Sequence, residues 1–167
     1  MAAGSERIRF ALDHNFPAPV LAAFSVLMPQ VELVPLAQIA GELARLDDWE
    51  VFLALHRHRA WDGLVTNDDK LLALPKEMTV LSQTNLTLVV AVGEGHNPIR
   101  AVGVLLCHLG FICHHTKRDR PQIWRLEVRQ RAYDAPVKYL TAIAEKQKTT
   151  AQHLFEVHKL PPKAFAE

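Results

Sequence analysis

Four short apolar runs, Ile8–Leu12, Val31–Leu36, Trp61–Thr66 and Leu86–Val92, punctuate the chain, and helix-length segments separate the first three. Turn-forming or helix-starting residues bound each run: Asp13 and His14 after the first, Asn67, Asp68 and Asp69 after the third. Pro17 or Pro19 begins a helix through about Leu27, because proline suits a first helical turn, where its missing N–H costs nothing. Pro29 closes that helix. After an irregular stretch from Ala37 to Leu46, Asp47 and Asp48 stand where an N-cap is needed. Trp49, Phe52, Leu53 and His56 then recur at helical spacing, giving a helix over Asp48–Arg59. Lys70–Leu74 reads as a helical turn, Thr79–Leu81 as a further short strand, and Ile99–His114 as an apolar helix after a Gly- and Pro-containing loop. Strands alternating with helices predict an α/β fold of three layers, a mostly parallel sheet between helices.

A chain of 167 residues is long enough to bury a core without disulfides or structural metal. Its net charge is only +1, so any contact with nucleic acid must come from local patches. Cys107 and Cys113 read as reduced core thiols, which fits a cytoplasmic protein. The sequence opens without a basic leader and apolar stretch, and no apolar run approaches the roughly 18 residues of a membrane span. Neither export nor membrane contact is therefore expected.

The pattern changes near Thr116. A domain over residues 7–116 is expected, with 117–167 as an extension formed by a basic edge strand and an amphipathic helix. The strand is Gln122–Val128. The helical segment begins at Pro136 and carries Val137, Leu140, Ala144, Ala151, Leu154 and Phe155 on one stripe. This extension can pack on its own domain, cover a partner, or pair two copies as a homodimer. Lys117, Arg118, Arg120 and Arg125, followed by Arg129 and Arg131, surround Trp124. The group suits an RNA backbone with a nearby base, and equally a solvated edge strand protected by charge.

The acidic residues carry the chemistry. Asp13 follows the first strand, Asp48 opens the helix after the second, and Asp68 follows the third. In a parallel sheet these positions fall on the carboxyl edge, where ligands bind in open α/β folds. Alone, each aspartate is an ordinary turn or capping residue. Gathered together, they would repel and raise one another's pKa, a penalty that a hard divalent cation removes. All-oxygen ligands favour Mg²⁺ or Mn²⁺, which can activate a water and neutralise phosphoryl charge. No His/Cys group has the spacing of a closed zinc site.

Phe10-Ala11-Leu12-Asp13-His14-Asn15-Phe16-Pro17 resembles the opening motif of PIN-like domains, and Val65-Thr66-Asn67-Asp68 resembles their later Thr-x-Asp motif. Asp48 matches their middle acid. The likeness covers about residues 7–115 and is nearest to relatives of VapC-type toxins. It implies a metal-dependent endoribonuclease, the toxin of a toxin–antitoxin pair. Asp13, Asp48 and Asp68 would hold Mg²⁺ or Mn²⁺, with Asn15 and Thr66 in support. Asp69 would be an additional acid, and an antitoxin would cover the cleft. Either Asp47 or Asp48 can be the ligand while the other caps the helix. Asp48 is preferred, since Val51, Phe52 and Leu55 then fall where relatives pack. Lys70 occupies a position at which relatives often carry another acid, which keeps a non-catalytic PIN-like binding module as the alternative. An aspartate-based phosphoryl-transfer enzyme is a third reading, but Asp13 lacks the Asp-x-Asp pattern of such phosphatases.

Overall fold

The computed structural model describes residues 7–14, 16, 19–92, 97–127 and 135–158. Five strands form one sheet: β1 (Ile8–Leu12), β2 (Val31–Pro35), β3 (Gly63–Thr66), β4 (Thr87–Val92) and β5 (Gln122–Glu127). Their spatial order is β2-β1-β3-β4-β5, and every neighbouring pair is parallel. Seven helices accompany them: α1 (Pro19–Leu27), α2 (Leu36–Ile39), α3 (Asp48–His58), α4 (Pro75–Ser82), α5 (Pro98–His115), α6 (Pro136–Lys146) and α7 (Ala151–His158).

Alternation along the strands divides the core in two. Phe10, Leu12, Val65, Val89 and Ala91 join Phe24 and Met28 from the α1 side and Ala101, Leu105 and Leu109 of α5. On the opposite face, Ala11, Leu64, Leu88 and Val90 pack with Val51, Phe52 and Leu55 of α3 and Leu81 of α4. Because the strand period is two, consecutive residues feed opposite layers. The short apolar runs therefore build a sheet covered on both sides, as expected.

One connection departs from the usual rule. The crossover through α1 moves from β1 outward to β2, whereas that through α5 moves the other way, from β4 to β5. Both helices lie on the same face, so the two crossovers have opposite hands. With the standard right-handed crossover at α1, the β4–α5–β5 unit is left-handed, an arrangement found in only about 2% of such units. The other face is already occupied by α3 and α4, and α5 buries its apolar stripe beside Met28.

Several boundaries differ from the sequence expectation. Thr79–Leu81 is not a strand but the end of α4. Pro75 starts that helix, the Thr79 hydroxyl donates to the Pro75 carbonyl, and Leu81 enters the core. The third strand begins at Gly63 rather than Trp61. Before it, the Asp62 carboxylate accepts the Arg9 backbone N–H, so a side chain takes the place of a ladder carbonyl. Gln122–Glu127 is the edge strand of the central sheet instead of part of an extension, and the first compact unit runs through Val128.

The second unit covers Arg129–Glu167. Its amphipathic segment forms two helices, α6 and α7, that contact one another. Lys148 separates them in the left-handed region, at φ 54°. Cys107 is exposed rather than in the core, while burial and the nearby Asp62 charge push the Cys113 thiol up to about 12. Such a thiol is unreactive at neutral pH. Among the described residues, no helix is long and apolar enough to cross a membrane.

Candidate functional site

The β2-β1-β3-β4-β5 order has its switch point between β1 and β3, where successive connections leave in opposite directions and a crevice opens. Asp13 immediately follows β1, and Asp68 lies two residues beyond β3. The Asp13 N–H continues the sheet by donating to the Val65 carbonyl at 2.9 Å. Its side chain is almost fully buried, at 8% exposure.

Thr66 bridges the crevice. Its hydroxyl donates to Asp13 Oδ2 at 2.8 Å and accepts the Asp68 backbone N–H at 3.0 Å. Both functions of the buried hydroxyl are satisfied, which fixes its rotor and links the two strand ends. Asp13 Oδ1 accepts the His14 backbone N–H and lies 2.7 Å from His14 Nδ1. Asp68 caps the 3-10 turn Asp69–Ala73, with Oδ1 accepting the Lys70 N–H at 3.0 Å.

The choice between Asp47 and Asp48 acquires a geometric basis. Asp47 is the exposed N-cap of α3, and its backbone N–H donates to Glu50 Oε2 at 3.1 Å in a capping box. Asp48 is the first helical residue and is half-buried. A helix N-terminus favours negative charge. Even so, burial first, and then the charges of Asp13, Asp68 and Glu77, push the Asp48 carboxyl above its ordinary range, with His14 opposing them. Electrostatically, Asp48 belongs with Asp13 and Asp68.

Glu77 was missed in the sequence because Thr79–Leu81 read as a strand, which left Glu77 in a connecting loop. It lies in the first turn of α4. Beside it, the Lys76 ammonium sits 3.5 Å from the Trp49 ring centroid and ties the opening turns of α3 and α4 together. An acid in the first turn of a Pro-initiated helix was the available signal.

Other expected residues lie elsewhere. Lys117, Arg118 and Arg120 precede β5 and therefore stand at the amino edge of the sheet, opposite the acids. Arg118 forms a two-pronged pair with Asp62. Arg125, within β5, pairs with Glu127 at 3.3 Å. Asp69 opens the 3-10 turn beside Asp68. Asn15, Arg129 and Arg131 lie outside the described residues. Among the described residues, no group of three or more acidic, histidine or cysteine side chains is placed to hold a metal ion.

The raised Asp48 pKa predicts a stability effect with a definite sign. Between its unfolded and folded pKa values the folded state binds more protons, so ionising Asp48 destabilises the protein as pH rises through that window. Asp48→Asn should raise the melting temperature at pH 7 without metal, and the gain should shrink as pH falls toward 4. In a chain of this length each kcal/mol of relief is worth roughly 2–4 °C. A melting temperature that is unchanged or lower at pH 7 would show that Asp48 bears no such strain.

Compared with protein-family models, with characterised proteins and with solved structures, the chain finds no match.

Proposed function

We propose that the chain is a Mg²⁺- or Mn²⁺-dependent endoribonuclease of PIN-like type, with its site at the carboxyl edge between β1 and β3. The observation that carries this reading is the electrostatic convergence on Asp48 of Asp13 and Asp68, joined by Glu77. Carboxylates held together at such a cost suit a hard divalent cation. Asp13, Asp48 and Asp68 would hold it, with Glu77 at the margin and Asp69 nearby. Bound there, a divalent cation supplies an acidified water and neutralises charge on phosphoryl oxygens.

The chain's own contribution is orientation. The Asp68 N–H, the Thr66 hydroxyl and Asp13 Oδ2 form one directional chain of hydrogen bonds that ties the Asp68 backbone to the Asp13 carboxylate. RNA would enter with its phosphate toward this edge. A toxin role, with an antitoxin segment covering the acids, follows from the PIN-like resemblance, as does a cytoplasmic location.

A non-catalytic binding module is the second reading. Its support is that Asp13 and Asp68 already accept internal hydrogen bonds, and that Lys70 occupies an acidic position of PIN-like relatives. One assay separates the two. Purified protein should cut a single-stranded RNA probe with Mn²⁺, stop when the metal is chelated, and resume on re-addition. No site-specific Mn²⁺ binding at the three aspartates would favour the module, and Mn²⁺ binding without cleavage would defeat the nuclease assignment.

A further inference from the structure

At the opposite, amino edge of the sheet lies a cavity of about 650 Å³ whose walls include Arg7, Arg9, Arg59, Arg118, Asp62 and Trp61. Four arginines against Asp62 and against Glu32, which pairs with Arg9, leave four minus two, a net charge of +2, in a chain whose total is only +1. A concave wall of one sign focuses the field on what enters it.

Part of that charge has internal employment. Arg118 grips Asp62, and Arg7 Nε donates to the Pro29 carbonyl at 2.9 Å. Arg9 donates to Glu32 at 2.9 Å and to the Ala60 carbonyl at 3.2 Å, with its guanidinium 4.6 Å from the Trp61 ring centroid. The Arg9 contacts use only some of the five N–H groups of its guanidinium. The C-terminal dipole of α3 accounts for some positive charge nearby. Its own last turn already supplies His56, Arg57 and His58 for that purpose.

Arg59 is different. Its guanidinium makes no hydrogen bond or ion pair among the described residues, and its backbone is left-handed at φ 49°. Glycine is the usual occupant of such a helix end, because it avoids the Cβ penalty. An arginine there, at the wall of a basic cavity, bears a backbone cost that glycine would avoid and leaves its guanidinium turned to the cavity without a protein partner among the described residues.

We infer that this cavity binds a phosphate monoester carried on a planar ring. The arginine forks take the phosphate, which they match bidentately. Trp61 and Leu86 form the apolar wall for the ring, and Asn85 adds an amide. The volume lies within the range of small-ligand sites. Two sources share this chemistry: a free nucleoside 5′-monophosphate and the 5′-phosphorylated end of an oligonucleotide. The inference is independent of the acidic edge.

The test uses the full chain with a metal chelator at constant ionic strength. Calorimetric and thermal-shift titrations compare a nucleoside 5′-monophosphate, the parent nucleoside, a 5′-phosphorylated trinucleotide and its 5′-hydroxyl form. Saturable binding of the phosphorylated ligands, with none by their unphosphorylated counterparts, is expected. Equal response to both phosphorylated ligands identifies a mononucleotide site, and response to the trinucleotide alone identifies an RNA end. Arg59→Gly should weaken binding about tenfold or more by removing a charge-assisted contact. The same change should leave the unliganded melting temperature equal or higher, because glycine relaxes the left-handed position. Absence of saturable binding at millimolar ligand, or unchanged affinity in Arg59→Gly, would overturn the assignment.

Discussion

On the proposed ribonuclease reading, Asp13→Asn should leave a folded protein whose Mn²⁺-dependent cleavage of single-stranded RNA has fallen by about 10³-fold or more, beyond the 10–100-fold typical of supporting residues. The amide keeps the shape of the carboxylate and its oxygen can still accept from the Thr66 hydroxyl, preserving the link between β1 and β3, while its NH2 replaces the oxygen that accepts the His14 backbone N–H and loses that contact. Alanine would be a poorer choice. It leaves a buried hydroxyl without its acceptor, a loss worth about 1–3 kcal/mol. Asn also removes one of the charges acting on Asp48, which offsets part of the lost His14 contact, so the metal-free melting temperature should change little. The separating measurement is the stabilisation by Mn²⁺, which the wild type should gain and Asp13→Asn should lose. Full cleavage by the variant would remove Asp13 from the site, however well the crevice is formed.

Gly63→Ala should be among the most damaging single substitutions in the chain. A Cβ at this position would lie 1.7 Å from the Thr87 carbonyl oxygen and 3.0 Å from the Phe10 ring. The first neighbour is backbone of the adjacent strand, so it cannot move without parting β3 from β4. The cost should reach about 3 kcal/mol or more, at or above the upper end of ordinary overpacking. That is a large fraction of the roughly 5–15 kcal/mol by which domains are stable. Urea unfolding should show a much lower midpoint, or the variant should fail to accumulate as soluble protein. Gly103→Ala is the matched control. Gly103 is exposed within α5 with nothing near its would-be Cβ, and alanine there should stabilise by about 0.5–1 kcal/mol. Equal urea midpoints for Gly63→Ala and the wild type would refute the close approach of β3 and β4.

What was legible in advance was whatever a short window of residues dictates. Ile8–Leu12 and Val31–Pro35 carry their strand signal in apolar residues bounded by turn formers, and α3 announces itself through Asp47, Asp48 and the stripe behind them. Thr79–Leu81 failed because two β-branched residues outweighed, locally, a helix that depends on Pro75 and on burying Leu81. The boundary after Thr116 failed for a different reason. Charge along Lys117–Arg125 marked a change of surface, while membership of β5 in the sheet rests on pairing with β4.

The sequence by itself determined the parallel α/β architecture and put Asp13, Asp48 and Asp68 at the carboxyl ends of strands or the start of a helix, since spacing and turn chemistry act over a few residues. Tertiary structure alone decided the order β2-β1-β3-β4-β5, the opposite hand of the α5 crossover, the approach of Glu77 to Asp48, and the gathering of arginines from three separate segments around one cavity. Those outcomes depend on which face of the sheet remains uncovered when each helix docks, a competition between segments distant in sequence that no local window contains.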